Sequence, residues 1–320
     1  MTTMKKKNGR LSKPTNNCLA RITKDNLIFL QMKNRHAILS IIVTTLLITV
    51  QVASAQNEER ITRTEITNTK LIGFGVSQIL DTYISQEHYN GTEIRFIDHT
   101  ERRKASVTTK YDDIALSPIY RKWSASITHK AFISSTTPRS DDNKNLAGLY
   151  TLGIGRQRHW DLLANKLHLK AGIAGQADIG FLYNTRNGNN PGQIRLGINI
   201  LPHADAGYDF EAFGKRFTVD YKIQIPLAGF MFTPHYGQSY YEIFTRGNYD
   251  HNIVVTTPFN APSMQHSLQM RLHLKHMSIT LGYLGDYQQA KVNNLKYHNY
   301  SHLVVVGLTR RFHIVKTLTE

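Results

Sequence analysis

His235 with Ser239, and His298 or His302 with Ser301, are spacings that could bring an imidazole to a hydroxyl, the pairing of a hydrolase nucleophile with its general base. A lipid-active barrel enzyme would add an orienting Asn, Asp or Gln. No G-x-S-x-G elbow accompanies these pairs, so a soluble hydrolase is not indicated. Metal chemistry has less support. His273 and His276 are an odd number of residues apart, which puts them on opposite faces of a strand. Asp141-Asp142-Asn143 lacks the glycine and closing Glu of a calcium loop. Gly73-Phe74-Gly75 and Gly153-Ile154-Gly155 lead into no helix and are not phosphate loops. No cofactor is implied.

A second set of residues stands out by its alternation. Lys170, Asp178, Arg195, Asp220, Lys222 and Arg271 are charges in the middle of otherwise apolar segments. In Gln193–Asp209, Ile194, Leu196, Ile198 and Ile200 fall on one face of an extended chain, with Arg195, Gly197 and Asn199 on the other. Leu167–Tyr183, Phe217–Ile225 and Leu268–Leu274 repeat that code. A soluble sandwich turns the apolar row inward; a membrane barrel turns it outward. In a barrel these charges line the interior, where Lys170 with Asp178 and Asp220 with Lys222 are the expected pairs.

The segments long enough to carry these rows are strands. Leu167–Tyr183 and Gln193–Phe210 exceed the roughly 9–11 residues a tilted strand needs to cross a bilayer. Further strands are expected at Lys70–Gln78, Leu80–Ser85, Thr92–Asp98, Ala105–Tyr111, Trp123–Ala131, Leu146–Gln157, Ile279–Tyr287 and Tyr300–Phe312, with a tight turn at Asn90-Gly91. Aromatic residues such as Tyr150, Tyr183, Tyr208 and Tyr283 fall near strand ends, where interfacial belts belong. The fold class expected is all-β: a closed antiparallel transmembrane barrel of about 10–12 strands. Pro226–Asn252 breaks the pattern with three Gly and two Pro. Ser239–Phe244 there reads as one helical turn capped by Ser239. This segment is either an inward plug or binding element lined by His235, Tyr236, Tyr240, Tyr241 and Glu242, or a surface loop packed by its own aromatics.

The chain of 320 residues has 39 Lys+Arg against 23 Asp+Glu, a formal charge of +16. Residues 1–55 hold nine of the basic residues and one acid, so 30 basic and 22 acidic residues, or +8, remain from Gln56 onward. Those are scattered along strands rather than gathered on one face, which argues against nucleic acid. Met32-Lys33-Asn34-Arg35-His36, the apolar run Ala37–Val52 and Ala53-Ser54-Ala55 form a secretory signal with its cut between Ala55 and Gln56. The single cysteine, Cys18, precedes that cut, which leaves no disulfide or thiol chemistry after it. The expected organisation is a start-site extension over 1–31 with Met32 as initiator, a signal peptide over 32–55, a polar tail over 56–69, a barrel over 70–314 containing the irregular segment 226–252, and a short tail over 315–320.

Leu80-Asp81-Thr82-Tyr83-Ile84-Ser85, Pro202-His203-Ala204-Asp205-Ala206-Gly207-Tyr208, the string Pro234–Phe244 and Asn294-Leu295-Lys296-Tyr297-His298 resemble an uncharacterised family of Bacteroides-type bacteria, classed as a domain of unknown function. The resemblance covers nearly all of the exported chain. It implies an exported, outer-membrane protein and brings no activity or site residue with it. Outer-membrane barrels tend to end in an aromatic residue, whereas here Phe312 is followed by His313–Glu320.

Three functional readings remain at this point. The first is a non-enzymatic outer-membrane barrel, a narrow or plugged channel or a structural or binding protein, with outer-membrane lipid and the barrel-assembly machinery as partners and its small-molecule ligand unspecified. The second is the lipid-modifying barrel enzyme. The third is a soluble periplasmic β-protein that binds a ligand.

Overall fold

The computed structural model describes residues 61–107, 119–188 and 190–316. The expected signal, its cut site and the start-site extension lie outside these residues. Twelve strand segments and one short helix follow in order: β1 Ile61–Asp81, β2 Ser85–Val107, β3 Ile119–Pro138, β4 Asn145–Leu162, β5 Leu167–Asn184, β6 Gly192–Ala212, β7 Lys215–Gln224, β8 Ala228–Phe232, α1 Tyr240–Phe244, β9 Ile253–Thr256, β10 Met264–His273, β11 Ser278–Val292 and β12 Leu295–Lys316. Every pairing is antiparallel, and β12 closes onto β1.

The twelve segments make a ten-stranded wall. β7 and β8 are halves of one strand on β6. Between the pairs His203↔Gln224 and Ile200↔Ala228, β6 advances three residues and its partner four. The extra residue is a bulge at Pro226. The amides of Ile225 and Leu227 bond to Pro202 O and Ile200 O on either side of it. Proline has no N–H for a ladder, so it sits where the ladder skips. β9 and β10 are likewise halves of one strand. From Gly229↔Thr256 to Gln224↔Gln265, one side advances five residues and the other nine. The surplus forms a turn closed by the amides of Asn260 and Ala261 on Thr257 O.

Following the register from Gly75 reaches Gln193 on β6 through β2–β5, and Asp205 through β12, β11, β10 and β7. A stagger of that size across ten strands requires tilted strands, as closed barrels have. Closure gives the wall strands partners on both sides, as the hydrocarbon region demands, except along the half-strand β9, which pairs only with β8.

The apolar rows face outward. Ile72, Phe74 and Val76 on β1, Ile173 and Ile179 on β5, Ile198 and Ile200 on β6, and Val304 and Val306 on β12 are all exposed. Ser77, Glu93, Arg95, Ser301 and Thr280 are buried inside. The soluble reading needs the reverse, and the structure does not have it. A small apolar cluster of Ile79, Tyr83, Ile84, Phe132, Ala147, Leu182 and Leu295 fills the interior at one rim.

Several boundaries differ from the sequence reading. Ile61–Thr69, expected within a polar tail, belongs to β1 and pairs on both sides. β12 runs two residues past the expected barrel end. Asn90-Gly91 is not a turn but mid-β2. A Cβ at Gly91 would run into the backbone of Ser135 and Thr136, so the glycine serves close strand approach. The turn lies at Thr82–Ile84, where Asp81 Oδ1 accepts from the Tyr83 amide at 3.0 Å. Two-residue turns occur at Phe213-Gly214 and Asn293-Asn294, all four residues with positive φ.

Candidate functional site

The connections 82–84, 139–144, 185–191, 233–252 and 293–294 gather at one rim, called here the loop-rich rim. α1 lies there. Ser239 caps it, its hydroxyl accepting from the Glu242 amide at 3.2 Å while Glu242 Oε2 accepts from the Ser239 amide at 2.7 Å. Those hydrogen bonds hold the Glu242 carboxyl below its ordinary value. Of the expected loop cluster, only Tyr240 turns into the mouth. It packs edge-on against Tyr83, with ring centroids 5.9 Å apart, and its hydroxyl accepts from the Ile194 amide. Burial pushes its phenol up to about 12. Tyr236 and Tyr241 are exposed, Glu242 is spent on its own helix, and His235 bonds to Asp250 O. The segment caps the rim rather than lining a binding site.

Below this cap the lumen is filled in layers. Arg195 pairs with Asp81 across the barrel and lies over the Tyr297 ring, 3.2 Å from its centroid. Arg95 sits between Glu93 and Asp286, and Ser301 donates to Glu93 at 2.6 Å. Next comes a band of amides. Lys130 Nζ donates to Gln265 Oε1 at 3.1 Å and to Gln176 Oε1 at 3.5 Å, and Gln224 Nε2 donates to Gln265 at 2.5 Å. These four side chains come from β3, β5, β7 and β10, spread around the ring. They line both lumen cavities and form a septum between them.

Beneath the septum Lys170 donates to Glu101 at 3.0 Å, and Arg271 Nε donates to Asp220 at 2.8 Å. Asp178 accepts from Thr151, Gln176 and Asn199. The expected pairs Lys170–Asp178 and Asp220–Lys222 are therefore not made. Residues eight apart on one strand are separated by roughly 26 Å at 3.3 Å per residue, and neighbours two apart project side by side. Lys170, Arg195 and Arg271 take carboxylates from other strands, although Arg95 and Glu93, two apart on β2, do pair. All six of these expected charges line the interior cavities, and Arg271 and Asp220 hold each other, but Glu101 and Asp81, which hold Lys170 and Arg195, were missed. Glu101, Arg95 and Glu93 share one parity of β2, yet Asp98, Thr100, Arg102 and Lys104 on the other parity are polar too and hide the alternation.

The catalytic pairings do not assemble. Ser239 is occupied by its cap and His235 by Asp250. His298 stacks on Tyr300 with centroids 4.5 Å apart on the outer face, whereas Ser301 points into the lumen. His302 bonds to Tyr283. One triad-like group does exist: Ser124 Oγ is 2.8 Å from His159 Nε2 and 2.7 Å from Glu101 Oε1. Glu101 approaches the same Nε2, at 2.8 Å, so it does not orient the imidazole from behind as a hydrolase carboxylate does. Among the described residues no cluster could hold a metal ion.

Comparison with known families is decisive on membership. A family model described as "Protein of unknown function (DUF3316)" matches residues 39–318. The chain belongs to that family. A search among curated proteins finds no match. Among solved structures, the transport unit of the autotransporter AIDA-I from Escherichia coli is 10% identical, with 86% of this chain and 97% of that one covered and a TM-score of 0.41. The outer membrane protease OmpT from Escherichia coli is 8% identical, with 81% and 99% covered and a TM-score of 0.37. The translocator domain of the autotransporter NalP from Neisseria meningitidis is 11% identical, with 87% and 98% covered and a TM-score of 0.32. No activity of this DUF3316 chain follows from likenesses of that degree.

Proposed function

We propose that this DUF3316 protein is a non-enzymatic outer-membrane binding barrel with a closed lumen, exported by a signal cut between Ala55 and Gln56. The motif strings of the family point to a Bacteroides-type envelope, and the barrel-assembly machinery would insert it. The longest connection, 233–252, is at the rim that carries α1, and outer-membrane barrels present their longer loops to the outside. The observation that carries the closed-lumen reading is the septum Lys130–Gln176–Gln265–Gln224, with ion pairs above and below it. Hydrogen-bonded side chains of this kind fill a narrow barrel and leave no continuous water column. In planar bilayers the protein shows no stable single-channel steps. Steady, large openings would overturn the reading.

A further inference from the structure

The cavity between the septum and the rim has a character of its own. Its cavity volume is about 160 Å³. Its lining is mainly apolar, with Ile79, Phe132, Leu149, Leu182 and Met231 among its walls and Lys130 in its floor. The carboxylates and guanidinia that border it are mutually satisfied: Arg195 by Asp81, and Arg95 by Glu93 and Asp286. Asp178 has neutral donors on both oxygens, from Thr151, Gln176 and Asn199, which use its acceptor capacity without a paired cation. Lys130 differs. An ammonium has three N–H bonds to give, and its two acceptors are neutral amides, one at 3.5 Å. Among the described residues no carboxylate lies within ion-pair distance of it. The chamber thus has greasy walls and one cation with spare donor capacity at its base.

The wall of this chamber is also discontinuous. β8 turns at the Pro226 bulge, and β9 pairs with β8 on one edge only. Between β9 and β10 the turn Thr257–Ala261 replaces the ladder, with Thr257, Ala261 and Met264 lining the chamber and Phe259 projecting from the outer face at 98% exposure. Three hydrogen bonds tie this connection to β11: Lys291 N to Asn260 O at 2.7 Å, Gln289 N to Ser263 Oγ at 3.1 Å and Ser263 Oγ to Gln289 O at 3.2 Å. The septum closes the route below, and Tyr83 and Tyr240 narrow the route above. On the outer face the exposed Phe230, Val255 and Phe259 lie along this edge.

We infer that this chamber binds a single-chain amphiphile with a monoanionic head, the head on Lys130 and the tail along the apolar walls, exchanged with the bilayer past the Thr257–Ala261 turn. The inference rests on the closed-lumen reading; conductance tests the septum and ligand binding tests the chamber, so the two can fail separately.

The test uses the barrel in maltoside detergent and native mass spectrometry with dodecanoate, dodecanol and dodecyltrimethylammonium as probes. Dodecanoate binds at one site, at least tenfold tighter than either of the others. Lys130→Met and Lys130→Gln each abolish that tenfold preference, Lys130→Arg keeps it, and all three keep the folded heat-dependent gel mobility. The chain has no cysteine after Cys18, so the pair Ala261→Cys and Ala290→Cys can be closed without competition. These positions continue the register Met264↔Tyr287. Oxidation slows dodecanoate exchange at least tenfold, and reduction restores it. Equal binding of the three probes, tighter binding of the cationic one, a preference that survives Lys130→Met, or exchange unaffected by the crosslink would overturn the inference.

Discussion

Lys130 and Gln265 meet across the full width of the barrel, Nζ to Oε1 at 3.1 Å, from strands β3 and β10 that stand opposite each other in the ring. Arg195 and Asp81 do the same nearer the rim, from β6 and β1. Two contacts along a diameter leave little open lumen. Replacing Gln176, Gln224 and Gln265 together by Ala removes the septum's amides while Lys130 stays. Planar-bilayer recording of that variant shows single-channel openings that the parent lacks.

Arg95 separates Glu93 from Asp286 deep in the wall, its side chain only 3% exposed. Arg95→Met leaves two carboxylates facing each other without a cation. Removing one partner of a buried ion pair typically costs about 3–5 kcal/mol. The folded band in heat-dependent gel mobility is lost at lower temperature, and Glu93→Gln combined with Asp286→Asn recovers part of the loss.

Gly91 and Gly175 give a matched pair of substitutions. A side chain at Gly91 meets the β3 backbone, whereas nothing lies within 4 Å of one at Gly175. Overpacking of a fitted site costs about 1–3 kcal/mol. Gly91→Ala lowers the midpoint of urea unfolding in lipid vesicles; Gly175→Ala leaves it unchanged.

The two substitutions bear on what was legible in the sequence. Alternation was clear on β5 and β6, where one face is uniformly apolar, and there the strand bounds and the outward orientation follow directly. It failed at Asn90-Gly91, because a glycine needed for close strand contact looks like a turn glycine. It failed again over Ile61–Thr69, where both faces are polar beyond the apolar belt. The lumen charges Lys170, Asp178, Arg195, Asp220, Lys222 and Arg271 were readable as a class by parity. Their partners were not, since pairing across the lumen depends on shear, which no local pattern encodes. The helix at Ser239 was readable because a capping box is a local code.

Ser239 and Glu242 also give a pH dependence. The folded-state pKa of Glu242 lies below the ordinary 4.5, so the cap's contribution is complete above that value and fades as pH falls through the folded pKa. Amide exchange in α1 therefore speeds up on acidification once the intrinsic rate is corrected for. Ser239→Ala costs about 1 kcal/mol of helix stability, typical of a lost cap, and raises the same exchange rates at neutral pH.

Orientation of the two faces underlies all of this, and adjacent residues on β6 report on it directly. Spin labels at Ile198→Cys and Asn199→Cys, in the barrel reconstituted in phospholipid vesicles, are compared by their collision rates with dissolved oxygen. The label at 198 collides freely with oxygen, as a group in hydrocarbon does, and the label at 199 is shielded; the opposite ranking would contradict a barrel with its apolar rows in lipid.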